Sequence, residues 1–155
     1  MSKSLVAYFS ASGTTKSLAE DLANHIGCDL YEIKPKVRYE KKDLNWLNPL
    51  SRSSVEMRKR THPEIIKGDI DITAYDTVYI GFPIWWYIAP TIINSFLESL
   101  DFSGKKIVLF ATSGGSGFGK AVEELKPSAP KAVIVESAVL NKNYTDSDLD
   151  KIANA

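Results

Sequence analysis

The sequence holds a single cysteine, Cys28. That excludes an internal disulfide and a multi-cysteine metal site. Cys28 sits beside a predicted strand, where a small core filler is expected. Histidine is also scarce, and neither His25 nor His62 adjoins a loop with the makings of a site. His25 falls near the end of a predicted helix, where partial positive charge suits the dipole. His62 precedes Pro63 and is placed to cap a short helix. Long apolar runs are missing. The N-terminal run covers residues 5–9, against roughly 18 residues for a membrane span and about 7–15 for a signal-peptide core. A cytoplasmic chain without membrane insertion is expected. Net charge is missing too: 19 basic residues balance 19 acidic ones. The balance is uneven, however. Residues 34–67 carry ten Lys or Arg against four carboxylates, a net of +6, which leaves −6 for the remainder. Such asymmetry steers charged partners. No recognition motif accompanies it, so nucleic acid is not an expected partner.

What is present describes one domain over residues 1–155. Its composition, 44% apolar and 25% charged, is that of a globular protein. Residues 3–9 form a first apolar strand. A helix follows, with Leu18, Leu22 and Ile26 on one face and Gly27 as its stop. Residues 29–33 make a second strand, ended by Pro35. The stretch 34–61 has no steady period, with a turn or two of helix expected near 54–60. Pro63 suits the first turn of a short helix over 62–68. Residues 77–81 make strand three, 90–100 a clear helix, 105–111 strand four, 118–125 a short helix and 132–136 strand five. A last helix near 147–153 is capped by Thr145, with Asp148 completing an imperfect capping box.

The alternation is β-α-β-α-β-α-β-α-β, with strands that lack strict polar alternation. That pattern predicts an α/β fold, a doubly wound five-stranded parallel sheet covered on both faces. Ligands of such folds bind outside the carboxyl ends of the strands. The loops after strands one, three and four are therefore the candidates.

The first loop reads Ser10, Ala11, Ser12, Gly13, Thr14, Thr15. It offers four hydroxyls and a glycine at a helix start, where free amides and the dipole favour an anion such as phosphate. A plain helix cap needs one hydroxyl. The second loop follows Gly81 and contains Pro83, Ile84, Trp85, Trp86 and Tyr87. So many aromatic rings at a ligand edge suggest a flat aromatic ligand. Pro83 stiffens the loop so that its amides can be aimed. The third loop contains Thr112, Ser113, Gly114, Gly115 and Gly117, whose glycines permit close backbone approach to a ring. Gly114 to Lys120 nearly spells a nucleoside-triphosphate loop, but the next residue is Ala121, so the magnesium-binding hydroxyl is missing. The first loop lacks the GxGxxG pattern of a dinucleotide site. Strands one and three end without the acidic residues of a phosphate-receiving signalling domain.

Taken in order, these loops resemble those of the flavodoxin family, and the resemblance covers nearly the whole chain. It implies strand order 2-1-3-4-5 and one flavin mononucleotide (FMN). Ser10, Ser12, Gly13, Thr14 and Thr15 would cradle the phosphate, with Ser12 where the family usually has threonine. Pro83, Ile84, Trp85, Trp86 and Tyr87 would lie against the isoalloxazine ring. Thr112, Ser113, Gly114, Gly115 and Gly117 would meet its pyrimidine edge. The resemblance assigns no catalytic side chain and no metal. Two departures stand out. The third loop has no aromatic residue to stack on the outer flavin face, which leaves that face open or covered by Tyr39 or Trp46. The chain is also neutral, whereas many carriers of the family are acidic. Two roles are implied: an electron-transfer protein serving a redox partner, or an NAD(P)H-dependent quinone reductase acting on small molecules.

Overall fold

In the computed structural model, residues 3–155 are described except 12, 46, 67, 69, 86–87, 114–116 and 142. Five parallel strands form one sheet in the order β2-β1-β3-β4-β5. They are β1 (Ser4–Tyr8), β2 (Asp29–Glu32), β3 (Thr77–Pro83), β4 (Lys106–Thr112) and β5 (Val133–Val139). The helices are α1 (Thr14–Ile26), α2 (Arg52–Lys59), α3 (Thr91–Ser99), α4 (Ala121–Leu125) and α5 (Asp146–Ala153). None among the described residues is long and apolar enough to cross a membrane.

Successive side chains of a strand face opposite sides of the sheet, so two cores form. Leu5, Ala7 and Phe9 join Ile80, Phe82, Leu109 and the apolar faces of α3 and α4. Val6 and Tyr8 join Val108, Phe110 and the inner faces of α1 and α5. This explains why the central strands show no polar alternation: both faces are dry. The edge strand β2 is mostly exposed, with Leu30 at 41%. Burial of a leucine such as Leu18 or Leu97 contributes about 1.5–3 kcal/mol, and both are essentially inaccessible.

Local signals mark the helix ends. Gly27 closes α1 in the left-handed region (φ 78), its N–H returning to the Ala23 carbonyl at 2.8 Å. The capping box of α5 is complete, with Thr145 and Asp148 each accepting from the other's amide. Three expectations need correction. The described residues of 62–68 form no helix. Pro35 and Ile65 pair in antiparallel fashion, and the Lys36 and Ile66 amides donate across the pair to Glu64 and Lys34. Pro63 satisfies a helix start locally, but tertiary pairing wins. His62 accordingly caps nothing and lies 2.8 Å from the Glu98 carboxylate. Strands three and five are longer than expected. Pro83 extends β3 because a strand's last residue needs no N–H. A register irregularity between Leu109 and Ala111 lets β5 continue to Val139, with the Ser137 hydroxyl donating to the Leu109 carbonyl. Cys28 is half-buried against the α1 side of the sheet, and burial raises its thiol pKa.

Candidate functional site

The carboxyl ends of β1, β3 and β4 lie side by side, and the three predicted loops leave from them. Gly13 is the N-cap of α1 at φ 98, ψ −15. A side chain is strained at that backbone geometry, so glycine is required there. Among the described residues no side chain caps α1, and its first turn holds no carboxylate. The opening amides of this 13-residue helix therefore keep their free donors and positive dipole end, which suits an anion. The half-buried Ser10 hydroxyl accepts from the Gly13 amide at 3.0 Å, which shapes the turn. Thr14 is half-buried at the first helical position. Thr15 is buried, and its hydroxyl lies 2.8 Å from that of Thr112 at the end of β4.

That bond joins the first loop to the third. The second loop joins them too. Pro83 stands beside Thr112 in the sheet register, and the Ile84 amide donates to the Thr112 carbonyl at 2.9 Å. Trp85 and Ile88 exchange both backbone hydrogen bonds. Ser113 is held by Asn141, whose side-chain carbonyl accepts from the Ser113 amide at 2.8 Å. Gly117 is exposed, with open space around its α-carbon. The structure thus brings together Ser10, Gly13, Thr14, Thr15, Pro83, Ile84, Trp85, Thr112 and Ser113. Ser12, Trp86, Tyr87, Gly114 and Gly115 lie outside the described residues.

Trp85 packs edge-on against Phe9 (5.8 Å between centroids) and Tyr39 (5.6 Å), and those two meet each other at 5.6 Å. Tyr39 comes from the irregular stretch and is buried. Its hydroxyl donates to the Glu56 carboxylate, while the Arg52 guanidinium lies 3.8 Å above its ring. Arg52 also donates to Glu56 at 3.0 Å and to the carbonyls of Val37 (2.6 Å) and Arg38 (3.3 Å). Burial, then the Glu56 carboxylate, raises the Tyr39 pKa well beyond the ordinary phenol range. This cluster fastens residues 37–39 beside Trp85. The spacing of Arg52 and Glu56, one helical turn apart, is a signal of a helical ion pair. Their link to Tyr39 is long-range and leaves no pattern in the sequence, nor does Asn141.

Beside Phe9 and Ser10 opens a cleft of about 430 Å³, lined also by Glu32, Lys34, Lys36, Arg38, Tyr39 and Ile66. It lies at the β2 side of the first loop and brings the cations of the irregular stretch next to the candidate site.

Comparison with known proteins agrees with this geometry. The chain matches the family described as flavodoxin over residues 3–155. A candidate flavoprotein from Bacteroides eggerthii is 45% identical, with 99% of each chain covered and a TM-score of 0.89. One from Bacteroides uniformis is 42% identical, with 98% of each covered and a TM-score of 0.90. A Lactobacillus acidophilus flavoprotein, solved in complex with FMN, is 25% identical over 99% of each chain, with a TM-score of 0.74. No curated protein matches the sequence. The strand order, the uncapped helix after β1 and a family match spanning all but two residues lead to one conclusion: the chain belongs to the flavodoxin family.

Proposed function

We propose that this protein holds one FMN at the carboxyl ends of β1, β3 and β4 and serves as an electron-transfer protein. The observation that carries the reading is the uncapped, carboxylate-free start of α1, preceded by Gly13 at positive φ and flanked by Ser10 and Thr14. Those features fit a phosphate. Ser10, Ser12, Gly13, Thr14 and Thr15 would hold it through backbone amides and hydroxyls. The Thr15 hydroxyl, already bonded to Thr112, would set the loop's shape. Pro83, Ile84, Trp85, Trp86 and Tyr87 would flank the ring, and Thr112, Ser113, Gly114, Gly115 and Gly117 would offer backbone groups to its edge. Bound FMN supplies one- or two-electron redox chemistry; the protein supplies position, water exclusion and local charge. The match to the flavodoxin family over residues 3–155 supports a carrier that serves a partner protein. A second reading, NAD(P)H-dependent reduction of quinones, is favoured by one feature: no aromatic residue occurs between Thr112 and Gly117 to cover the outer ring face.

The test is an anaerobic redox titration of the FMN-loaded protein, paired with a steady-state assay using NADPH and a quinone. A carrier shows two resolved one-electron steps and negligible NADPH turnover. Rapid turnover with a single two-electron step refutes the carrier role. Thr14→Asp checks the cradle separately. An acidic residue in the first helical turn stabilises a helix by about 0.3–1 kcal/mol, so the fold should hold while FMN affinity falls at least tenfold. Unchanged affinity rejects the loop assignment.

A further inference from the structure

We propose that residues 34–66 form a docking face for an acidic redox protein, centred on the cleft walled by Lys34, Lys36 and Arg38. This rests on the electron-transfer reading above and names the partner's chemistry.

Two independent observations meet on this face. The first is charge. Lys34, Arg38, Lys41 and Lys59 are exposed and make no ion pair among the described residues, whereas Lys36 and Lys42 have exposed carboxylate partners and Arg60 a half-buried one. The second is exposed apolar surface. Six large apolar side chains are exposed among the described residues, and four of them, Val37 (66%), Leu47 (74%), Leu50 (80%) and Ile66 (50%), fall in this one segment. Exposed apolar groups gathered in one region mark interaction surfaces. Unpaired cations among them select an acidic partner over a neutral one.

The face is also held in shape. Pro35 and Ile65 pair, Arg52 grips the carbonyls of Val37 and Arg38, and Tyr39 donates to buried Glu56. A preformed face loses little conformational entropy on docking. Its position suits electron exchange. Tyr39 lines the cleft on one side and touches Trp85 of the second loop on the other. A partner seated in the cleft would therefore stand beside the proposed flavin site. One electron would pass between the partner's centre and the bound flavin, one being oxidised and the other reduced, with no bond made or broken. Because the whole chain carries no net charge, steering must come from this local patch. Local fields of this kind raise association rates by 10- to 1,000-fold, an effect lost with added salt.

The experiment uses a plant-type ferredoxin as the acidic probe and cytochrome c as the basic control. Amide chemical shifts of the full-length protein, apo and FMN-loaded, are followed at low and at physiological salt. Ferredoxin should perturb residues 34–66 at low salt, lose affinity at least tenfold at higher salt, and bind better than cytochrome c. The combined variant Lys34→Glu, Arg38→Glu, Lys41→Glu should bind ferredoxin at least tenfold more weakly while taking up FMN as before. Absence of ferredoxin binding at low salt, equal binding by the variant, or a preference for cytochrome c overturns the proposal. So does burial of this face in a dimer seen by sedimentation, since the remainder of the chain is acidic. Binding to vesicles containing phosphatidylserine but not to ferredoxin overturns it as well. Shift perturbation in the apo protein separates failure of docking from failure of FMN binding.

Discussion

Thr15 and Thr112 are 97 residues apart in the chain, yet their hydroxyls share a buried hydrogen bond of 2.8 Å. The bond ties the first turn of α1 to the end of β4. Either hydroxyl alone would be a buried, unsatisfied polar group. Thr112→Val should therefore cost about 1–3 kcal/mol in urea unfolding. The double variant Thr15→Val, Thr112→Val should cost clearly less than the sum of the two single changes. Strict additivity would show that the bond contributes nothing.

Gly13→Ala isolates the backbone requirement. Open space surrounds the position, so no clash accompanies the change. The left-handed φ of 98 is the sole penalty, and a loss of about 1 kcal/mol or more is expected. FMN affinity should fall alongside stability. An alanine variant as stable as the parent would mean that the turn relaxes freely.

Gly81 answers to a different constraint. A β-carbon placed there would sit 2.3 Å from the ring of Phe110, which is buried on the neighbouring strand. Gly81→Ala should lose about 1–3 kcal/mol through overpacking. Phe110→Leu, added to it, should restore part of that loss even though it is destabilising alone. Failure of this pair to compensate would locate the strain elsewhere.

Much of this was legible beforehand, and the reasons are physical. The helix α1 and the strands β1, β3 and β4 follow from local periodicity and from two-sided burial. The loops were recognisable because hydroxyls, tryptophans and glycines cluster at strand ends. Residues 34–66 were not legible. Pro63 and Pro35 each have a sound local reading, but the local conformation is set by a bridge between Pro35 and Ile65, 30 residues apart. Tyr39 could be named as a possible cover for the site, but its bond to Glu56 and its place against Trp85 depend on tertiary folding. The same holds for Asn141, which grips Ser113 from beyond β5.

Arg52 and Glu56 carry that segment. Glu56 is buried, and Arg52 is its cation. Removing one member of a buried pair strands the other, at roughly 3 kcal/mol. Arg52→Ala should approach that loss and should expose Tyr39 to quenchers and solvent exchange. A change under about 0.5 kcal/mol, the range of ordinary surface substitutions, would contradict the anchoring role.

Alkaline pH should unfold the protein earlier than an ordinary tyrosine count suggests. Burial first, then Glu32 and Glu20, pushes Tyr8 up to about 12. Tyr39 is raised by burial and Glu56, and Tyr144 is pushed up to about 12 by burial and its bond to Asp21. The native state therefore keeps protons that the unfolded chain gives up near pH 10. Stability is fully present below pH 10 and falls as pH rises towards 12 and beyond. Denaturant midpoints at pH 9 and pH 11, read with phenolate absorbance, test the sign. A constant midpoint would refute it.

The most direct measurement compares FMN with riboflavin, which differs by the phosphate alone. Apo protein is titrated with each flavin while flavin fluorescence is followed. The phosphate cradle at the start of α1 predicts one FMN per chain and riboflavin binding at least tenfold weaker. The gap should close for Thr14→Asp. Equal affinity for the two flavins, or no uptake of FMN, would contradict the account at its centre.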